Sequence, residues 1–147
     1  MAYLPEIPET LAPNDDDAPF WAHCNERRLM FQHCPHCATL THPPLAVCPG
    51  CQSGDRAWTE APARAEVFSY TWIHTAAHEA VTPKLPYNVA VVSFPDLPGV
   101  RLVSNVIDAT VEQLAVGDAV ELVWEPGWQG QLLPRFRLAP CKERSLR

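Results

Sequence analysis

Four cysteines in two short pairs are the residues of this chain whose types and spacing point most strongly to a metal site. Cys34-Pro35-His36-Cys37 and Cys48-Pro49-Gly50-Cys51 are C-P-x-C turns with ten residues between the inner cysteines. Each turn can wrap two thiolates around one cation, and two such turns complete a tetrahedral S4 site of the structural zinc type. Iron can occupy the same cage. A full thiolate shell leaves no open position for water or substrate, so the expected Zn2+ staples the fold and performs no chemistry. The competing reading makes each C-x-x-C a redox pair, which wants a βαβ context and a helix opening at the first Cys. Proline directly after the first Cys of both pairs, in a segment too short for that helix, argues against it. His33, His36 and His42 lie close enough in sequence to replace a thiolate, but four cysteines at this spacing need no substitute. These histidines are read as solvated loop residues. Cys24 reads as a small apolar residue on a helix face, and Cys141 falls in a polar tail with no evident role.

A metal staple implies a fold to be stapled. The 147 residues suit one ordinary domain, or a small metal module joined to a compact domain of about 80 residues, and the layout favours the second. A hydrophobic share of 47% with five Trp and five Phe can supply a core. Sixteen prolines favour turns and short strands over long helices. No apolar run approaches the roughly 18 residues of a membrane span. The acidic start from Met1 to Asp17 lacks both the basic and the apolar regions of a signal peptide, so a cytoplasmic protein with reduced thiols is expected. The net charge of −6 opposes generic nucleic-acid binding. Five of the eleven cationic residues nevertheless fall in the last thirteen positions, as Arg135, Arg137, Lys142, Arg144 and Arg147. That cluster suits phosphate, an acidic partner or a solvated terminus alike.

Four segments follow along the chain: an extended arm over 1–17, a helix and ribbon over 18–60, a β domain over 61–140 and a basic tail over 141–147. Asp15, Asp16 and Asp17 offer capping and dipole-compatible charge, and Pro19 suits a first turn. A short helix through about Glu26 is expected, with Phe20, Trp21 and Cys24 on one face. Leu29, Met30 and Phe31 lead as a strand into the first knuckle, and Pro43-Pro44 marks the connection to the second. From Ala65 onward the pattern is β: Glu66 to Thr75, Tyr87 to Phe94, Val100 to Asp108, Ala119 to Glu125 and Leu133 to Leu138. Pro95-Asp96-Leu97-Pro98-Gly99 and Gly127-Trp128-Gln129-Gly130-Gln131 read as hairpin turns, and Ala109 to Val116 as a brief helix or turn ended by Gly117-Asp118. Five short strands in such a span suit a small closed barrel of the OB-fold or SH3-like kind.

These features in this order resemble the family catalogued as domain of unknown function 35. The resemblance lies in a short helix, two C-P-x-C knuckles separated by a Pro-Pro turn, and Trp58 just beyond. Val67-Phe68-Ser69-Tyr70-Thr71 then opens a five-stranded barrel, and Gly117-Asp118-Ala119-Val120 precedes its fourth strand. It covers residues 18–138, and its specificity lies in the order of the features, since four-Cys ribbons alone occur in many proteins. The implied fold is mainly β, a short helix and four-Cys zinc ribbon followed by a five-stranded OB-fold barrel, with Cys34, Cys37, Cys48 and Cys51 as metal ligands. The implied role is that of an accessory subunit in acyl-CoA metabolism. Family members bind thiolase-like enzymes, including those of archaeal 3-hydroxy-3-methylglutaryl-CoA synthesis. Others bind lipid-transfer-protein-like aldolases and MaoC-type hydratases of steroid side-chain breakdown, where the barrel docks on the partner and helps wall a CoA channel. Two departures stand out. The small residue after each knuckle, often Gly because the turn favours positive φ, is Ala38 and Gln52 here. The glycine-containing approach to the first barrel strand reads Ala63-Arg64-Ala65.

The sequence contains no G-x-S-x-G, phosphate loop or G-x-G-x-x-G. His74 and His78, with Glu79 adjacent, offer an acid–base pair, against the ordinary reading of a partner-facing or solvated loop. Lys84 lies in the same Thr75 to Pro86 connection, which OB-folds often use for ligands, and is a candidate for contact with a CoA phosphate or an enzyme surface. Arg64 and Arg101 are candidates of the same kind, because a guanidinium can hold a phosphate bidentately. Trp72, Trp124 and Trp128 invite a stacking reading, although strand aromatics usually serve the core; Trp128 is the one expected to be exposed. Three functions compete: an accessory subunit of a thiolase-like aldolase or condensing enzyme, a single-stranded nucleic-acid binder, and a free-standing CoA-ester enzyme using His74 or His78.

Overall fold

The computed structural model describes Tyr3, Leu4 and residues 13–140. Most of the expected arm, and the basic tail with Cys141, Lys142, Arg144 and Arg147, lie outside the described residues. Helix α1 (Ala18–Asn25) starts with Pro19 in its first turn, but the aspartates do not cap it as expected. Asn14 Oδ1 instead accepts the N–H groups of Asp16 and Asp17 at 2.9 Å, turning the chain into the helix. Phe20 and Cys24, one turn apart, are buried as the spacing predicts. No helix among the described residues is long and apolar enough to cross a membrane.

The ribbon is a three-stranded antiparallel sheet of β1 (Met30–His33), β2 (Leu40–Thr41) and β3 (Ala57–Glu60), in the order β2-β1-β3. Strands this short cannot hold themselves together, and the ribbon leans on the rest of the chain through aromatics. Phe31 is fully buried, with its ring 5.3 Å from His42 and 5.2 Å from Phe94 of the barrel. His42 is therefore not the solvated loop residue that the sequence suggested. Its ring packs between Phe20, 4.9 Å away, and Phe31, and burial holds its pKa below the usual value.

The barrel strands are β4 (Ala65–Ile73), β5 (Tyr87–Ser93), β6 (Arg101–Ser104), β7 (Val106–Ile107), β8 (Ala119–Pro126) and β9 (Leu132–Leu138). Their order is β6-β5-β4-β8-β9-β7. The five expected strands are six because the third breaks at Asn105. β6 stays antiparallel to β5, while β7 crosses to pair in parallel with β9, Val106 opposite Phe136. The two edges of the sheet are thus consecutive pieces of one segment, and the sheet rolls until they meet through the chain rather than through a continuous ladder. Val67, Ala90, Val92, Val106 and Phe136 fill the interior.

Side chains bridge that seam. Asn88, fully buried on β5, donates from Nδ2 to the Val106 carbonyl at 2.7 Å and accepts the Val106 N–H on Oδ1 at 2.8 Å. Its carboxamide stands in for the ladder that the strand break interrupts. Asn105 Nδ2 donates in turn to the Asn88 carbonyl, and Arg135 Nη1 donates to Asn105 Oδ1. Arg135 Nε lies 3.5 Å from Glu125 Oε1, and Glu125 Oε2 accepts the Tyr3 N–H at 2.9 Å. The Tyr3 hydroxyl accepts from both nitrogens of Asn88 at 3.0 Å, and burial raises its pKa. Replacing Asn88 with Ala strands the buried N–H and C=O of Val106, and we expect a loss of about 3 kcal/mol of stability. Urea unfolding checks this, and an unchanged midpoint contradicts it.

Candidate metal centre and the flanking barrel surface

The two knuckles have the same construction. In the first, the Cys34 N–H donates to the Thr39 carbonyl at 3.0 Å and the Ala38 N–H to the Cys34 carbonyl at 2.9 Å. In the second, the Cys48 N–H donates to Ser53 and the Gln52 N–H to Cys48, both at 2.9 Å. Each turn ends on a residue with positive φ, Ala38 and Gln52, both at 62°. Those are the two positions where the sequence departs from the family's glycine, and both adopt the conformation that glycine favours. Gly50 has another reason to be glycine: a Cβ there would lie 2.6 Å from Thr39 Oγ1 and 3.3 Å from Cys37 Sγ, where the knuckles close on each other.

The Sγ atoms of Cys34, Cys37, Cys48 and Cys51 all lie within 4.8 Å of one another. Cys34 and Cys51 are 3.6 Å apart and Cys37 and Cys48 3.5 Å. A tetrahedron with Zn–S bonds of about 2.3 Å has edges of about 3.8 Å, so the cage fits a zinc ion. Donors are also in place: the Gly50 N–H points at Cys48 Sγ from 3.3 Å, and Thr39 Oγ1 sits 3.0 Å from Cys37 Sγ. Hydrogen bonds from the Thr39 hydroxyl and N–H pull the Cys37 thiol down to about 6. The Ser53 N–H favours the Cys51 thiolate, yet its neighbours, Cys34 foremost, push the thiol up to about 12. Four thiols so close compete for charge, and a divalent cation is what lets all of them ionise. Among the described residues this is the one cluster of its kind. His36 is not part of it; its Nε2 is engaged by Asp55 at 2.6 Å on the exposed side of the knuckles.

The other sequence candidates do not converge. Arg64 and Arg101 share the outward face at the start of β4 and β6, because Glu66, Ser93 and Arg101 stand in one row across β4, β5 and β6. Arg64 pairs with Glu66 at 3.0 Å. Lys84 ends a 3-10 turn (Glu79–Lys84) beyond the far end of β4, and Trp128 lies beyond the far end of β8. Trp128 is half-buried rather than exposed. Its turn is pinned to α1, with Gln131 Nε2 donating to the Trp21 carbonyl and Leu132 N–H to Asn25 Oδ1. Trp72 and Trp124 pack on the core. His78 Nδ1 is spent accepting the Ala80 N–H. A cleft of about 450 Å³ at the ribbon–barrel junction is lined by Leu29, Ala61, Pro62, Phe94 and Phe136. Glu121 is its one charged residue, and Arg137 holds that carboxylate at 3.2 Å.

One surface residue escaped the sequence reading. A bulge between Val67 and Ser69 turns Phe68 outward beside Ser69, and the Arg101 guanidinium lies 3.7 Å over its ring. The signal is a change of phase: Ala65 and Val67 are buried at odd positions, Tyr70 and Trp72 pack on the core at even ones.

Residues 21–56 match the rubredoxin-like zinc ribbon domain of ChsH2, and residues 58–125 match its C-terminal OB-fold domain. A solved "Ltp2-ChsH2(DUF35) aldolase" chain is 36% identical, with a TM-score of 0.79 over 89% of this chain and 100% of that one. The chain belongs to the DUF35 family. A DUF35 protein of unknown function from Sulfolobus solfataricus has the same fold, at 20% identity and a TM-score of 0.59 over 83% of this chain and 84% of its own. A probable enoyl-CoA hydratase alpha subunit of Thermomonospora curvata is 36% identical over 94% of this chain, which spans 43% of that protein's length. A DUF35 domain-containing scaffold protein of Methanothermobacter thermautotrophicus is 28% identical over 82% of this chain and 92% of its own.

Two predictions follow from the knuckles. Replacing Cys48 with Ser removes one quarter of the cage, and we expect loss of bound zinc and aggregation; metal analysis and light scattering check this, and a folded, soluble, metal-free variant contradicts a stapling role. Replacing Ala38 and Gln52 with Gly relieves two left-handed residues at about 1–2 kcal/mol each, less about 0.5–1 kcal/mol of added chain entropy. The double variant should melt a few degrees higher by calorimetry.

Proposed function

We propose that this chain is a non-catalytic accessory subunit of a thiolase-like acyl-CoA enzyme, an aldolase or condensing enzyme, which it stabilises and whose acyl-CoA channel it helps to form. Steroid side-chain degradation is one setting for such a complex. A lipid-transfer-protein-like aldolase or a MaoC-type hydratase is the partner class, and the cytoplasm is the location in which four free thiolates persist. The observation that carries the reading is the match along the whole of a ChsH2 chain from an aldolase complex. In this reading Cys34, Cys37, Cys48 and Cys51 hold one Zn2+, which ties the two knuckles together. Residues 18–60 act as the ribbon and 61–140 as the barrel, between an arm over 1–17 and a tail over 141–147. Arg64, Lys84, Arg101 and Trp128 are candidates for contact with CoA or the partner.

The chemistry on the chain supports an accessory role. A four-thiolate shell offers no position for substrate. The strongest polar network, from Tyr3 through Asn88 and Asn105 to Arg135 and Glu125, is spent inside the barrel wall. The nucleic-acid alternative loses support from the arginines: Arg28, Arg56, Arg64, Arg135 and Arg137 each face a carboxylate of this chain, and the net charge is −6.

The test is affinity capture of the chain, tagged at its C-terminus, from its native cell lysate, with mass spectrometry of what it brings down. We expect a thiolase-like or hydratase-like protein in stoichiometric amount, and no turnover of acyl-CoA esters by the purified chain alone. Recovery of nucleic acid instead, or turnover by the chain alone, overturns the proposal.

A further inference from the structure

The outward face of β4, β5 and β6 carries an apolar cluster, Phe68, Val91 and Val103, set among Glu66, Ser69, Ser93 and Arg101. Ser69, Val91 and Val103 stand in one row across the three strands, next to the row of Glu66, Ser93 and Arg101. Val103 is 66% exposed and Phe68 is 46% exposed. Phe68 owes its position to the bulge, a feature that costs ladder hydrogen bonds and here aims an aromatic ring at solvent. The ring is not left loose, since Arg101 lies across it at 3.7 Å.

Arg101 also differs electrostatically from its neighbours. Arg64, two residues before Glu66 on the same face, takes that carboxylate at 3.0 Å, whereas Arg101 has no carboxylate partner among the described residues. A cation stacked on an aromatic ring, with Val103 two residues on along the same strand face, can be covered by another protein only if that protein brings an anion, because a buried unpaired charge is expensive. Aromatic and arginine side chains in an apolar surround are also the composition of interface hot spots.

We propose that this face is where the partner enzyme docks, Phe68, Val91 and Val103 packing on an apolar patch of that enzyme while Arg101 pairs with one of its carboxylates. The proposal rests on the accessory-subunit reading and names the surface it uses. Cation–π stacking holds the guanidinium ready, so little side-chain freedom is lost when the pair forms.

The experiment measures binding of the co-purifying enzyme to the wild-type chain and to Val103→Asp, Arg101→Glu and, as a control on the ribbon, Leu45→Asp, all checked for unchanged circular dichroism and zinc content. Val103→Asp and Arg101→Glu should each weaken binding at least tenfold, with Leu45→Asp within twofold of wild type. Wild-type affinity should also fall with added salt, and that dependence should shrink in Arg101→Glu. Unchanged affinity in Val103→Asp and Arg101→Glu, or an equal loss in Leu45→Asp, overturns the docking face while leaving the accessory role standing. A wild-type chain that retains no acyl-CoA enzyme overturns both.

Discussion

Four sulfur atoms held within 4.8 Å of one another are the constraint on which this molecule depends. The ribbon strands run for four, two and four residues, too few to survive as a sheet in water. What closes them is a pair of tight turns whose carbonyl and amide groups are already spent on each other, leaving only the thiolates to reach across. The cation that suits those thiolates therefore fixes the ribbon's shape, and the ribbon passes it on. Phe31 leaves the sheet to pack on Phe94, and Phe94 lies 6.4 Å from Phe136 in the barrel, so the two modules share one core. A metal site at one end of the chain is in this way a condition for the packing of the other.

The barrel solves a different problem with polar groups. A continuous third strand would have to bend sharply to serve both β5 and β9. The chain breaks it at Asn105 instead, and the Asn88 carboxamide supplies both hydrogen bonds that Val106 would otherwise miss. Burying so many polar atoms is tolerable only because the network is connected, ending on Arg135 and Glu125, a pair whose mutual attraction offsets the burial that lowers the arginine's pKa. Tyr3 joins that network from far away in sequence, and its backbone N–H and hydroxyl both contribute to the barrel wall.

Much of this was legible from residue types. The spacing of the cysteines gave the cage, Pro, Gly and Asn marked the turns, and β-branched and aromatic runs gave the strands nearly to the residue. What the sequence could not carry were effects of the third dimension. Nothing local distinguishes Asn88 from a polar residue at a strand end, because its partner at Val106 is 18 residues away. His42 looked like a loop histidine because the aromatic rings that bury it, Phe20 and Phe31, belong to other elements. Trp128 looked exposed because its Gly-rich turn says nothing of α1, to which the neighbouring Gln131 and Leu132 are tied. The bulge at Phe68 did leave a trace, the switch of the core residues from odd to even positions, which a strict reading of alternation would have caught.

That switch also bears on the docking face proposed for the barrel. An inward-facing Phe68 would have joined the core and left β4 with an ordinary polar exterior. By spending one residue on a bulge, the chain keeps Tyr70 and Trp72 packed inside while presenting an aromatic ring outside, on a strand too firmly paired to β5 to rearrange. A docking surface built on paired strands loses little entropy on binding, in contrast to one built on loops. The division of labour then follows from the chemistry: a four-thiolate cage and a connected polar network give rigidity, and the face with an exposed apolar cluster and a cation that meets no carboxylate among the described residues is the one with binding energy to offer.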